Sequence, residues 1–117
     1  MIRDIKSEGN VILIISDRGQ ATLKLEVPIG NVLKFDDSIV VRTAAITQER
    51  ARNIHRFDEN GNKIWTVEES EGVKGMANAF VGMGLNEKGE LMGATWQGLT
   101  HKIDFETGRI LSSLFTK

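Results

Sequence analysis

The stretches NIHRFDENGNKIWTVEE at residues 53–69 and LTHKIDFETGRILSSLF at residues 99–115 repeat one pattern, 46 residues apart. In both, a histidine, a basic residue, an apolar residue and an aspartate follow one another and lead into a glycine-containing turn. The matched pairs are His55 with His101, Arg56 with Lys102, Phe57 with Ile103, and Asp58 with Asp104. The chain is therefore expected to contain two copies of one strand–turn–strand unit.

Each copy alternates apolar and polar side chains, which is typical of a half-buried β-strand. Because successive side chains of a strand point to opposite faces, Phe57 and Ile103 should point inward, while Arg56 and Lys102 should point to solvent. The same alternation would place the two histidines at equivalent positions of two sheets.

The turns of the two copies also have a common chemistry. Asp58 and Asp104 start them, and an aspartate there can accept the backbone N–H two residues ahead. Gly61 and Gly108 supply the positive φ that such tight turns need.

Two more strands precede each hairpin, so the repeated units cover residues 31–68 and 79–115. Repeats of about 40–50 residues with four strands each are typical of β-propeller blades, but a closed propeller needs about four to eight of them. We therefore expect a single all-β domain over 1–117: an antiparallel meander of two blade-like four-stranded units plus N-terminal strands in 1–28. Packing as a β-sandwich or a partly open barrel would bury the sheet faces, and assembly of several chains is the alternative.

The N-terminal region predicts strands at 2–6, 10–16 and 20–27 that either extend one sheet or cover the open side. Its run VILII at 11–15 is continuous and β-branched, which predicts a strand buried on both faces. The stretches without a strand pattern are predicted to be loops: 44–53, whose helix-forming composition allows one helical turn, and 69–78.

The composition narrows the function classes. The chain has 117 residues, a net charge of −1 and no cysteine, so no nucleic-acid or membrane footprint, disulfide framework or thiolate metal site is expected. The N-terminus MIRDIKSEGN has no apolar signal region, and the longest apolar run is too short to span a bilayer. We therefore expect a cytoplasmic protein.

Catalytic and metal-binding patterns are not found in the sequence. His55 and His101 lack the spacing of a zinc motif, so we interpret them as equivalent structural positions; a ligand site around them is the other interpretation. DENGN at 58–62 departs from a calcium loop, because its glycine is fourth and not sixth. No serine stands in a nucleophile-elbow context. We expect no enzyme activity, no cofactor and no metal.

Acidic residues concentrate in predicted turns and suit a basic protein partner. We predict them as the partner-binding residues: Asp36, Asp37, Glu68, Glu69 and Glu71. The basic residues that gather elsewhere are Arg42, Arg50, Arg52 and Arg56. Trp65 and Trp96 each end a strand; core positions are expected for both, with interface anchors as the second interpretation.

The chain resembles small stand-alone bacterial β-proteins of the kind found as immunity proteins. Three stretches carry the resemblance: the hairpin RFDENGNKIW, the segment FVGMGLNEKGEL and the terminal hairpin DFETGRI. Such proteins neutralise polymorphic toxins, including those of contact-dependent growth inhibition. The resemblance implies a cytoplasmic protein, monomeric when free, that blocks the active site or docking surface of a cognate toxin, often a basic nuclease domain. Two alternatives remain: a small-ligand or carbohydrate-binding module, and a subunit of an oligomeric propeller-like assembly.

Overall fold

The structure is a computed structural model that describes residues 1–44, 51–70 and 78–115. Its regular elements in these ranges are antiparallel β-strands. They are β1 (Ile2–Glu8), β2 (Val11–Ser16), β3 (Gly19–Lys24), β4 (Ile29–Lys34), β5 (Ser38–Thr43), β6 (Ile54–Asp58), β7 (Lys63–Thr66), β8 (Phe80–Leu85), β9 (Leu91–Thr95), β10 (Leu99–Ile103) and β11 (Ile110–Phe115). Within the described ranges, no helix has the length and apolar character needed to cross a membrane.

The strands form three sheets, and each sheet is a meander of strands adjacent in sequence. The first sheet contains β1–β3, the second β4–β7 and the third β8–β11. The predicted all-β class is confirmed, and the sheets are layered without closing into a barrel. The N-terminal strands form a sheet of their own that packs on the second sheet, so of the two predicted arrangements they cover a sheet face and do not extend another sheet. The predicted loops at 44–53 and 69–78 lie partly outside the described residues.

The second sheet is the middle layer, because both of its faces contribute to a hydrophobic core. One core joins Ile12 and Ile14 of the first sheet to Val41 and Phe57 of the second. The other core, between the second and third sheets, contains Val40, Ile54, Trp65, Val67, Phe80, Leu91 and Ile103. Each fully buried Val, Leu, Ile or Phe side chain stabilises the fold by roughly 1.5–3 kcal/mol. These two cores hold the three sheets together.

The central strand β2 is covered on one face and not on both, which corrects the prediction for 11–15. Ile12 and Ile14 are completely buried, but Val11, Leu13 and Ile15 are only partly buried. The reason is the layer order: the first sheet is an outer layer, so one face of β2 has no sheet packed on it. Strands β5 and β6 of the middle sheet have both faces covered.

The hairpin turns have the predicted chemistry. The side chains of Asp58 and Asp104 accept the backbone N–H two residues ahead, at 2.9 and 3.1 Å. Gly61 and Gly108 have φ values of 84° and 77°, a conformation that side chains with a Cβ disfavour. The same local turn chemistry therefore closes both hairpins.

Candidate functional site

Hairpin turns from the three sheets meet at one end of the molecule. The amino group of Met1 lies 3.6 Å from Asp17 in the first sheet and 2.9 Å from Glu59 in the second. The rings of Phe35 and Phe105 join the second sheet to the third, with centroids 4.7 Å apart. We call the carboxylates on these turns the acidic rim: Asp17, Asp36, Asp37, Asp58, Glu59, Asp104 and Glu106.

Arg56 lies at the centre of this rim, buried between the second and third sheets. Its guanidinium group donates to the Ser38 hydroxyl at 2.9 Å and to the Phe105 carbonyl at 3.1 Å, and lies 3.9 Å from the centre of the Phe105 ring. It also lies 3.5 Å from Asp37 and 3.9 Å from Glu106. These two acids come from turns of different sheets, and Arg56 brings them together.

The burial of Arg56 corrects the prediction that it points to solvent. Only 5% of the residue is exposed, because β6 belongs to the middle sheet and both of its faces are covered. Its repeat partner Lys102 is half-buried and forms an ion pair with Glu90 at 2.7 Å. The two basic residues differ because the third sheet is an outer layer. Phe57 and Ile103 point inward as predicted.

Asp37 and Glu106 present their charges to solvent. Their side chains are 75% and 78% exposed, whereas that of Arg56 is 6% exposed. Arg56 offsets part of this negative charge, but the carboxylate oxygens stay exposed to an incoming partner. Such a rim attracts positively charged surfaces and speeds their association.

The predicted partner-binding residues lie on both sides of the turn at 104–109. Asp36 and Asp37 are exposed in the turn between β4 and β5, and Asp37 reaches 104–109 through Arg56. Glu68 and Glu69 are exposed just after β7. Glu68 contacts the other side of the same turn: its N–H donates to the Gly108 carbonyl at 2.9 Å, and its carboxylate accepts the N–H of Ile110 at 2.8 Å. Glu71 lies outside the described residues. That these acids form one binding face stays a prediction.

His101 lies in a groove between the second and third sheets, with a volume of about 420 Å³. Its Nε2 lies 2.6 Å from the Ser70 hydroxyl, and its Nδ1 lies 2.6 Å from the Ser113 hydroxyl. Burial lowers the pKa of His101, so the ring is neutral near pH 7. Two carboxylates, Glu68 and Glu69, line the same groove.

His55 occupies the corresponding position in a groove between the first and second sheets. Its Nδ1 lies 3.0 Å from the Thr66 hydroxyl on the neighbouring strand, as His101 lies next to Ser113. Burial, followed by the positive charges of Lys63 and Arg52, lowers the pKa of His55 to about 4. The two histidines occupy equivalent positions of two sheets, as predicted, and each also lines a groove of its own. Among the described residues, no cluster of His, Asp and Glu side chains could hold a metal ion.

Family membership follows from the match of residues 2–115 to a family described as Domain of unknown function (DUF7957). The chain belongs to the DUF7957 family. No protein with a curated description matches the sequence.

Two solved structures are similar in fold to this DUF7957 member. The computationally designed Ika8 protein is 10% identical with a TM-score of 0.58, and the match covers 99% of this chain and 37% of that chain. BamB from Moraxella catarrhalis is 15% identical with a TM-score of 0.58, and the match covers 97% of this chain and 35% of that chain. The chain thus spans about a third of their length. At these identities the likeness concerns the fold alone, a small all-β domain with blade-like sheets.

The structure also identifies site residues that the sequence pattern did not indicate. Phe105 and Glu106 lie in the last hairpin turn. The sequence feature that could have indicated them is the aromatic Phe105 between two acids, Asp104 and Glu106. Trp65 is buried as expected, and its Nε1 donates to the Phe105 carbonyl at 2.8 Å. Trp96 is 51% exposed, so the core prediction is wrong for it. It follows the end of β9, in the turn before β10.

Proposed function

We propose that this chain is an immunity protein that binds a cognate bacterial toxin in the cytoplasm and neutralises it. The toxin we propose is a nuclease with a basic surface, blocked at its active site or at a docking surface. The observation that supports this proposal is the acidic rim, above all Asp37 and Glu106 beside the buried Arg56. In this proposal the free protein is a monomer that needs no cofactor and has no catalytic activity of its own.

The electrostatic argument starts from the partner. A nuclease must attract the phosphates of its substrate, so the surface around its active site is basic. Carboxylates on tight turns of a packed β-scaffold can occupy such a surface with little loss of conformational freedom, because the turns are already ordered. Charges at the rim of an interface act mainly on the association rate and its salt dependence.

The test begins with the full-length chain, tagged and co-expressed with the product of the neighbouring reading frame. A partner retained in a 1:1 complex is then purified, and its nuclease activity is titrated with the chain. We expect stoichiometric inhibition. A partner that binds without losing activity, or the lack of any partner, would contradict the immunity function.

The role of the acidic rim needs a matched set of variants. The double variant Asp37→Asn/Glu106→Gln should lower the association rate by about three- to tenfold at low salt and less at high salt. Glu8→Gln removes an exposed acid at the end of β1, at the opposite end of the strands, and should leave the rate unchanged. The pair Glu68→Gln/Glu69→Gln tests whether these acids share the face. An unchanged rate in the Asp37/Glu106 variant would remove the rim from the interface.

A further inference from the structure

A second groove, between the first and second sheets, has a different chemistry from the acidic rim. Its volume is about 600 Å³, within the range of small-molecule sites. Its lining combines the end of the first sheet with one side of the second: Leu23, Lys24, Leu25, Glu26, Val27, Thr43, Arg52, His55, Phe57 and Lys63. We call it the basic groove. None of the acidic-rim carboxylates lines it, so an inference about this groove does not rest on the proposed toxin binding.

The positive charge of the basic groove comes from Lys24, Arg52 and Lys63. Arg52 is held in place by two backbone carbonyls: its Nε donates to Val67 at 2.7 Å, and an Nη donates to Thr66 at 3.4 Å. Between residues of the described ranges, no ion pair within 4.0 Å involves any of these three cations. Arginine and lysine side chains that form no such ion pair can bind the carboxylate, sulfonate or phosphate group of a ligand.

Besides Glu26, Thr43 and His55, the remaining lining residues are apolar. Leu23 and Leu25 come from the first sheet and the chain that follows it, and Phe57 comes from β6; all three belong to the core between these sheets. A pocket with an apolar lining and a few charged groups orients a ligand that has both characters. Lysine and arginine stems can also extend along the apolar body of such a ligand.

The pKa of His55 depends on its burial and on the charged groups that line the groove. The charged groups around it are Lys24 and Glu26 from the side of the first sheet, and Arg52 and Lys63 from its own sheet. After burial, the charges of Lys63 and Arg52 are what lower its pKa. Burial disfavours any charge at this position, whereas the positive charges of Lys63 and Arg52 favour an anion over a cation.

We propose that the basic groove binds a small organic anion, with an acidic headgroup against Arg52 and Lys63 and a short apolar body against Leu23, Leu25 and Phe57. The corresponding groove between the second and third sheets offers a comparison within the same molecule. It contains a histidine at the same repeat position but is lined by Glu68 and Glu69. The repeat thus forms two similar grooves of opposite charge, and one of them suits an anion.

Calorimetry on the full chain tests the charge requirement. The probes are octanoate and phenyl phosphate as anions, and 1-octanol as the neutral counterpart of octanoate. We expect at least one anion to bind and 1-octanol to bind at least tenfold more weakly than octanoate. Lys63→Gln should weaken anion binding about fivefold, equivalent to about 1 kcal/mol. Lys88→Gln removes an exposed lysine in the turn between β8 and β9 and should have no effect.

A second readout locates the bound anion. The chain has two histidines, so NMR can follow both imidazoles in one titration. The pKa of His55 should rise when an anion binds beside it, whereas that of His101 should not change. Three results would overturn the proposal: no binding of either anion up to about 5 mM, equal binding of octanoate and 1-octanol, or equal effects of Lys63→Gln and Lys88→Gln. Because Lys63 is exposed at the start of β7, its variant is expected to fold, and a melting curve checks this.

Discussion

Replacing His55 with glutamine should remove a part of the folding free energy that depends on pH. The pKa of His55 is lowered from 6.5 to about 4 by burial and then by the charges of Lys63 and Arg52, whereas the unfolded chain keeps a value near 6.5. The unfolded state therefore binds the proton first as the pH falls, and stability is lost between about pH 6.5 and pH 4. Linkage with these two values gives a loss of about 2.5 kcal/mol between pH 7.5 and pH 4.5.

Urea unfolding followed by tryptophan fluorescence at these two pH values measures the effect. Wild type should lose roughly 2–2.5 kcal/mol more than His55→Gln on acidification, and Lys88→Gln should behave as wild type. Burial also lowers the pKa of His101, which acts in the same direction, but His101 is present in all three proteins and its contribution cancels. Equal losses in wild type and His55→Gln would refute the reasoning, as would a His55 pKa near 6.5 measured by NMR.

Two predictions concern packing between the sheets. Gly108 and Gly89 have φ values of 77° and 78°, but a Cβ on Gly108 would lie 2.6 Å from the Trp65 ring, whereas one on Gly89 meets open space. Gly89→Ala should cost about 1–2 kcal/mol and Gly108→Ala about 1–3 kcal/mol more; equal melting temperatures would contradict the Trp65 contact. Asn53→Ala should cost about 2–4 kcal/mol in urea unfolding, because the buried Asn53 side chain bonds both backbone groups of Phe80 at 2.8 and 2.9 Å. A loss below about 1 kcal/mol would show that these groups find other partners.

The strands could be located from the sequence because their signals are local. The alternation over 53–58 predicts β6, which the structure gives as Ile54–Asp58, and the pattern over 99–104 predicts β10, found at Leu99–Ile103. The alternation of side chains along a strand and the residue types of a turn involve only a few consecutive positions. Both signals can therefore be recognised in the amino-acid sequence. The same holds for the turn chemistry of Asp58 and Asp104.

The candidate sites were less accessible to sequence reasoning. Asp37 and Glu106 are far apart in the chain and become neighbours only because the second and third sheets stack with Arg56 between them. The basic groove likewise combines residues 23–27 with Arg52 and Lys63, which belong to different sheets. A search for charge clusters along the sequence cannot identify residues of different sheets that become neighbours, because contacts between sheets have no fixed sequence spacing.

The sequence by itself determined the antiparallel all-β class, the two four-stranded units and the turns of their hairpins, since period-2 alternation and turn residues specify these locally. The tertiary structure decided which sheet lies in the middle. That order buries Arg56 on β6 but leaves its repeat partner Lys102 half-buried, and it leaves Val11, Leu13 and Ile15 only partly covered. Matched residues of the two repeats have the same local conformational preferences. Their burial differs because one sheet face packs against another sheet and the other faces water.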